Sequence, residues 1–145
     1  MPRPTDLMRS PFDFTYPTDL ETEWIDVMGY AVPLWVSDPE AEYHAFRTGV
    51  GLLEYSMLYR WEITGPRAIE VAQRVHSRDI ASMGPGDICY GVIVDEQGLM
   101  IDDPTVSVYG HDRVLIVGGN PAVGEVIGKE LDSGTVLCPV GPRPE

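Results

Sequence analysis

Tyr90-Gly91-Val92-Ile93-Val94-Asp95-Glu96-Gln97-Gly98-Leu99-Met100-Ile101-Asp102-Asp103-Pro104-Thr105-Val106-Ser107-Val108 consists of two apolar, β-branched runs around a polar tetrad. The runs read as strands over 90–94 and 99–108, and Asp95-Glu96-Gln97-Gly98 as the loop of a hairpin, with Gly98 where a positive φ is needed. A hairpin is antiparallel by construction, whereas parallel neighbours need a long crossover. This stretch therefore points to an antiparallel sheet and away from a parallel doubly wound one.

The flanking sequence extends the pattern. Downstream, Tyr109-Gly110-His111-Asp112 turns the chain into a strand over 113–117, and Gly118-Gly119 leads to Asn120-Pro121, a cap followed by the residue favoured at the first helical position. Val123, Val126, Ile127 and Leu131 form the apolar stripe of that helix, and Thr135–Cys138 reads as a last strand. Upstream, Gly65-Pro66 opens a helix striped by Ala68, Val71, Ala72 and Val75, and Leu52–Thr64 reads as extended, with Tyr55, Tyr59 and Trp61 on one face. Ser37-Asp38-Pro39-Glu40 starts a helix expected over 39–48. The predicted class is α+β: a largely antiparallel sheet with helices near 39–48, 66–76 and 121–131 on one face. Residues 1–22 read as an extended arm carrying Pro4, Pro11 and Pro17, and 23–145 as one domain.

Composition narrows the function. The 145 residues are 43% hydrophobic and 23% charged, an ordinary globular balance. Fifteen glycines and 13 prolines fit a turn-rich chain. The net charge of −13 repels a phosphate backbone, so no nucleic-acid partner is expected. No apolar run approaches the ~20 residues that span a bilayer, so no membrane partner is expected either. Met1-Pro2-Arg3-Pro4-Thr5-Asp6 has no apolar leader segment, which makes the cytoplasm the expected location. Cys89 and Cys138 read as buried free thiols, and His44, His76 and His111 lack metal-ligand spacing, so no metal is expected.

Asp102-Asp103-Pro104 is the most unusual local feature, two adjacent acids in an apolar strand. Neighbouring strand residues point to opposite faces, so the two acids cannot share a proton. Pro104 lacks an N–H, so the strand must bulge there or lie at an edge. From the residues alone, the acid pair is either a carboxylate site or a solvated bulge, and Tyr90 is either a pocket wall or a rim aromatic.

The order of segments adds to this reading. Asp38-Pro39-Glu40-Ala41-Glu42-Tyr43 and Arg47 precede Val50-Gly51-Leu52-Leu53-Glu54-Tyr55-Ser56. Then come Glu62-Ile63-Thr64-Gly65-Pro66, Pro85-Gly86-Asp87-Ile88-Cys89-Tyr90, and Asp95-Glu96-Gln97-Gly98-Leu99-Met100-Ile101-Asp102-Asp103. The succession, from Trp24 to Asn120, resembles the first half of the tetrahydrofolate-dependent aminomethyltransferase family, which includes the glycine cleavage T-protein and folate-dependent demethylases. The resemblance implies transfer of a one-carbon group from a small methyl donor to N5 of tetrahydrofolate. It puts the catalytic carboxylate at Asp103, and Tyr90, Asn120, Ser56, Met57 and Asp102 at the folate site. Because the two acids face opposite ways, Asp102 is expected to be the more solvated. Met57-Leu58 stands where T-proteins have His-Met, which favours the demethylase branch, and Pro104 replaces an aliphatic residue.

The family's chains run to more than twice 145 residues, and their second half supplies further folate-binding groups. The resemblance therefore implies one subunit of a split methyltransferase or demethylase, completed by a complementary protein subunit or by self-association. The alternatives are a non-catalytic interaction module that has lost folate chemistry, and an aminomethyltransferase of glycine cleavage.

Overall fold

The computed structural model describes residues 3–140 and separates into two units, one running to Met57 and the other starting at Leu58. The expected boundary after residue 22 falls inside the first unit. Residues 1–2 of the expected arm and 141–145 of the expected domain lie outside the described residues.

In the first unit, β1 (Trp24–Val27) and β2 (Tyr30–Pro33) form an antiparallel hairpin in which Trp24 faces Pro33 and Val27 faces Tyr30. The lead-in is tied to this hairpin: Met8 N–H donates to Gly29 O at 2.8 Å and Ala31 N–H to Met8 O at 3.0 Å. Helix α1 (Pro39–Thr48) lies where its capping signals place it. Asp38 is the cap, its carboxylate accepting from Ala41 N–H at 2.9 Å, and Glu42 reaches back to the N–H groups of Val36 and Ser37 at 2.8 and 2.7 Å.

The second unit holds an antiparallel sheet of five strands in the order β4-β7-β8-β3-β9: β3 (Tyr59–Thr64), β4 (Ile88–Tyr90), β7 (Thr105–Gly110), β8 (Arg113–Gly118) and β9 (Val136–Pro139). A small second sheet pairs β5 (Ile93–Val94) with β6 (Met100–Asp102). Helices α2 (Ala68–Val75) and α3 (Ala122–Glu130) pack on the face carrying Trp61, Ile63, Val106, Val108, Val114 and Ile116. Their stripes, Ala68, Val71, Ala72 and Val75 on α2 and Val123 and Ile127 on α3, complete that core. Each buried Val or Ile stabilises the fold by about 1.5–3 kcal/mol relative to exposure. The α+β class and the antiparallel sheet are as the sequence predicts.

Four expectations change. The long strands over 90–94 and 99–108 are each broken in two, at Gly91-Val92 and at Asp103-Pro104. Pro104 cannot donate to a ladder, so the chain leaves the small sheet after Asp102 and joins the large one at Thr105. As a result Tyr90 pairs with Thr105 in the large sheet, while the hairpin loop closes β5 on β6. Asp95 organises that loop, its carboxylate accepting from Gln97 and Leu99 N–H at 2.9 and 2.8 Å, and Gly98 has φ +82°.

The extended reading of Leu52–Thr64 holds only from Tyr59 onward. Tyr59 and Trp61 stack at 5.7 Å on the helix side of the sheet, with Trp61 buried, whereas Tyr55, expected on the same face, precedes the strand and is exposed. Of the two thiols, Cys89 is half-buried but Cys138, on edge strand β9, is exposed. Among the described residues no helix is long and apolar enough to cross a membrane.

Candidate functional site

In an antiparallel sheet, directly opposed residues share a face. The pairings Tyr90–Thr105, Thr105–Val117 and Val117–Arg60 therefore form a row across four strands, on the face opposite the helices. Tyr90 sits at the open end of that row on edge strand β4 and is exposed. Its hydroxyl donates to Asp103 Oδ2. That bond, more than partial desolvation, raises the Tyr90 pKa above its ordinary value, so the phenol remains protonated at neutral pH.

Asp102 points the other way. It is only 8% exposed, so the acid expected to be solvated is the buried one. Its Oδ2 accepts from Asn120 N–H at 3.2 Å. Asn120 in turn donates through Nδ2 to Ile101 O at 2.9 Å and accepts at Oδ1 from Ala122 N–H at 3.0 Å, capping α3. Asp102 thus joins the end of β6 to the turn between β8 and α3. That turn begins at Gly118, whose bare Cα lets Asp102 approach: a Cβ there would overlap Asp102 Oδ2.

His76 holds the neighbouring Asp103-Pro104 step. It is buried, with Nε2 3.4 Å from Pro104 O and Nδ1 accepting from Arg78 N–H at 3.3 Å. Those partners select the tautomer protonated on Nε2. Burial lowers its pKa, so the ring is neutral at pH 7. The Asp103-Pro104 step is therefore held by Asp102 on one side and by His76 on the other.

The second unit by itself brings together Tyr90, Asp102, Asp103 and Asn120. Ser56 and Met57 are half-buried at the end of the first unit. Sequence reasoning missed His76, Gly118 and Arg60. A lone histidine and a glycine pair carry no local signal, and Arg60 joins the row only through three pairings across four strands. The cluster offers an accessible carboxylate that accepts hydrogen bonds, an aromatic ring beside it, and a buried carboxylate that orders the support. Among the described residues no group of three or more His, Cys, Asp or Glu side chains is placed to hold a metal ion.

Residues 15–130 match the family model described as the GCVT N-terminal domain. A probable aminomethyltransferase of Halobacterium salinarum is 35% identical over 78 residues, which is 54% of this chain and 22% of that protein. The trimethylamine-oxide aldolase of Ruegeria pomeroyi is 36% identical over 89 residues, 61% of this chain and 11% of that protein. An aminomethyltransferase of Frankia alni is 29% identical over 126 residues, 86% of this chain and 34% of that protein. These matches thus span from about a tenth to a third of the relatives' own lengths. Among solved structures, glycine cleavage system aminomethyltransferase T from Bartonella henselae superposes with a TM-score of 0.75 at 19% identity, over 92% of this chain and 38% of that one. At that identity the likeness speaks for the fold alone.

Proposed function

The chain belongs to the GCVT N-terminal domain family, and from that premise we propose that it is the folate-facing part of a tetrahydrofolate-dependent one-carbon transferase. It works in the cytoplasm, in complex with a complementary polypeptide or a second copy that completes the site. The observation that carries this reading is Tyr90 donating to Asp103 at an accessible edge of the sheet, while Asp102 is withdrawn to hold the Asn120 turn.

The residues suit the cofactor. When bound, tetrahydrofolate supplies N5 as acceptor of the one-carbon unit. Asp103 accepts a hydrogen bond from an amine or holds its proton as charge moves, a task that needs an accessible carboxylate. Tyr90 offers its ring for stacking and fixes the Asp103 oxygen that its hydroxyl engages. Arg60, three strand spacings along the same row and so about 14 Å away, provides positive charge for an anionic tail. Asp102 and Asn120 act on the support rather than on the cofactor.

Met57-Leu58, in place of His-Met, favours methyl transfer from a small methylated donor over aminomethyl transfer in glycine cleavage. The test is isothermal titration of 5-formyltetrahydrofolate into the chain alone and into the chain co-expressed with the second half of a full-length relative. Binding by the complex, lost on Asp103→Ala and Tyr90→Ala, is the expected result. If the assembled complex fails to bind, the chain is a non-catalytic interaction module instead.

A further inference from the structure

We propose that the first unit, by itself, carries a binding site for a small methylated ammonium ion, in the cavity between its hairpin and helix α1. This does not rest on the one-carbon reading, and none of the residues named below belongs to the Tyr90–Asp103 cluster.

The cavity has a volume of about 380 Å³, within the range of pockets that hold small ligands. Four aromatic side chains line it, Phe12, Tyr16, Trp35 and Phe46. Two carboxylates also line it, Glu42 and Glu54, and they differ in what they face. Glu42 is committed to the start of α1, where Oε1 accepts from the N–H groups of Val36 and Ser37 and from the Ser37 hydroxyl. Glu54 has no such engagement with the backbone. Its Oε2 accepts from the hydroxyls of Ser10 and Tyr16. Its Oε1 is sealed from solvent, and among the described residues it has no hydrogen-bond donor. No arginine, lysine or histidine among the described residues forms an ion pair with Glu54.

A carboxylate withdrawn from water with one oxygen bare is unfavourable unless a cation lies nearby. The surrounding chemistry selects the type of cation. An ordinary ammonium or guanidinium would bring N–H groups against rings that cannot accept strong hydrogen bonds. A methylated ammonium presents apolar, positively polarised methyl groups, which aromatic faces attract through their quadrupoles. The rings are anchored: Trp35 donates its indole N–H to Glu21 O at 3.2 Å, and Tyr16 donates its hydroxyl to Glu54 Oε2 at 3.0 Å. Burial and the Glu54 bond raise the Tyr16 pKa, keeping that donor protonated.

The experiment is isothermal titration of the full chain with tetramethylammonium chloride and, separately, with 3,3-dimethyl-1-butanol, a neutral molecule of similar bulk. Tetramethylammonium is expected to bind about tenfold or more tightly than the alcohol. Glu54→Gln preserves shape and should remove that preference. Phe46→Leu, at an exposed position, should weaken binding of the cation while leaving the alcohol nearly unchanged. Circular dichroism of each variant checks that the unit is folded. Equal affinity for the two probes, no binding of tetramethylammonium, or a folded Glu54→Gln that binds it like the parent would each overturn the assignment. Loss of folate binding at Asp103 leaves these outcomes unaffected, so the two readings fail independently.

Discussion

Asp102 Oδ2 occupies the space that a Cβ on Gly118 would need. The carboxylate closes on a bare stretch of backbone where β8 ends, and from there it receives the Asn120 N–H at 3.2 Å. A larger residue at 118 displaces the acid, and removing the side chain at 102 leaves the part-buried Asn120 N–H without this acceptor.

Gly118→Ala should destabilise the second unit by about 1–3 kcal/mol, the usual cost of inserting a methyl group into a packed site. Asp102→Ala should cost a similar amount, about 1–3 kcal/mol, because the Asn120 N–H loses its acceptor. In the double variant the overlap disappears with the carboxylate, so the two effects should sum to less than their separate values. Urea unfolding of the four proteins measures this, and strict additivity would show that the two residues do not interact.

Asp103→Asn should leave the unfolding midpoint nearly unchanged but reduce methyl transfer by the reconstituted complex by roughly 10²- to 10⁴-fold, the scale of a lost general acid–base contribution. Asp102→Asn keeps an acceptor for Asn120 and should show the smaller activity loss. Transfer of a labelled methyl group to tetrahydrofolate, followed in both variants, distinguishes the roles. Full activity in Asp103→Asn would reduce the exposed acid to a surface group.

His76 should make stability depend on pH in the mildly acidic range. Its folded pKa lies below the unfolded value of about 6.5, so between the two the unfolded chain binds more protons. The contribution of neutral His76 is complete above about pH 6.5 and is lost as pH falls toward the lowered value. His76→Gln retains a donor for Pro104 O without the titration. Denaturant midpoints at pH 7.5 and 5.5 should converge for parent and variant at the lower pH. A constant difference between the two proteins would mean that His76 does not titrate in this window.

Glu70 should titrate at about 2, well below the 4.5 of a free glutamate, because Arg67 hydrogen-bonds both its carboxylate oxygens and Arg74 adds a third contact. The group is on the surface, so salt should move the value back toward normal. Carboxyl-carbon NMR during acid titration at low and high salt checks this. An ordinary midpoint at low salt would show that the cluster does not persist in solution.

The amino-acid sequence by itself determined the three helices and the antiparallel class, because those signals are local. Asp38-Pro39, the stripe of Ala68, Val71, Ala72 and Val75, and Asn120-Pro121 each act within one or two turns of the chain. It also established that Asp102 and Asp103 face opposite ways, since strand alternation is a property of neighbouring residues. Which acid is buried was decided only by tertiary structure. That choice depends on Gly118 arriving bare beside β6 and on Pro104 forcing the chain out of one sheet and into another. The same holds for Arg60, which shares a row with Tyr90 through pairings between residues far apart in sequence, and for the bare oxygen of Glu54, whose hydroxyl partners Ser10 and Tyr16 come from the distant lead-in. Periodicity reports on which residues share a face within one element. It carries no information about which other element will come to lie against that face.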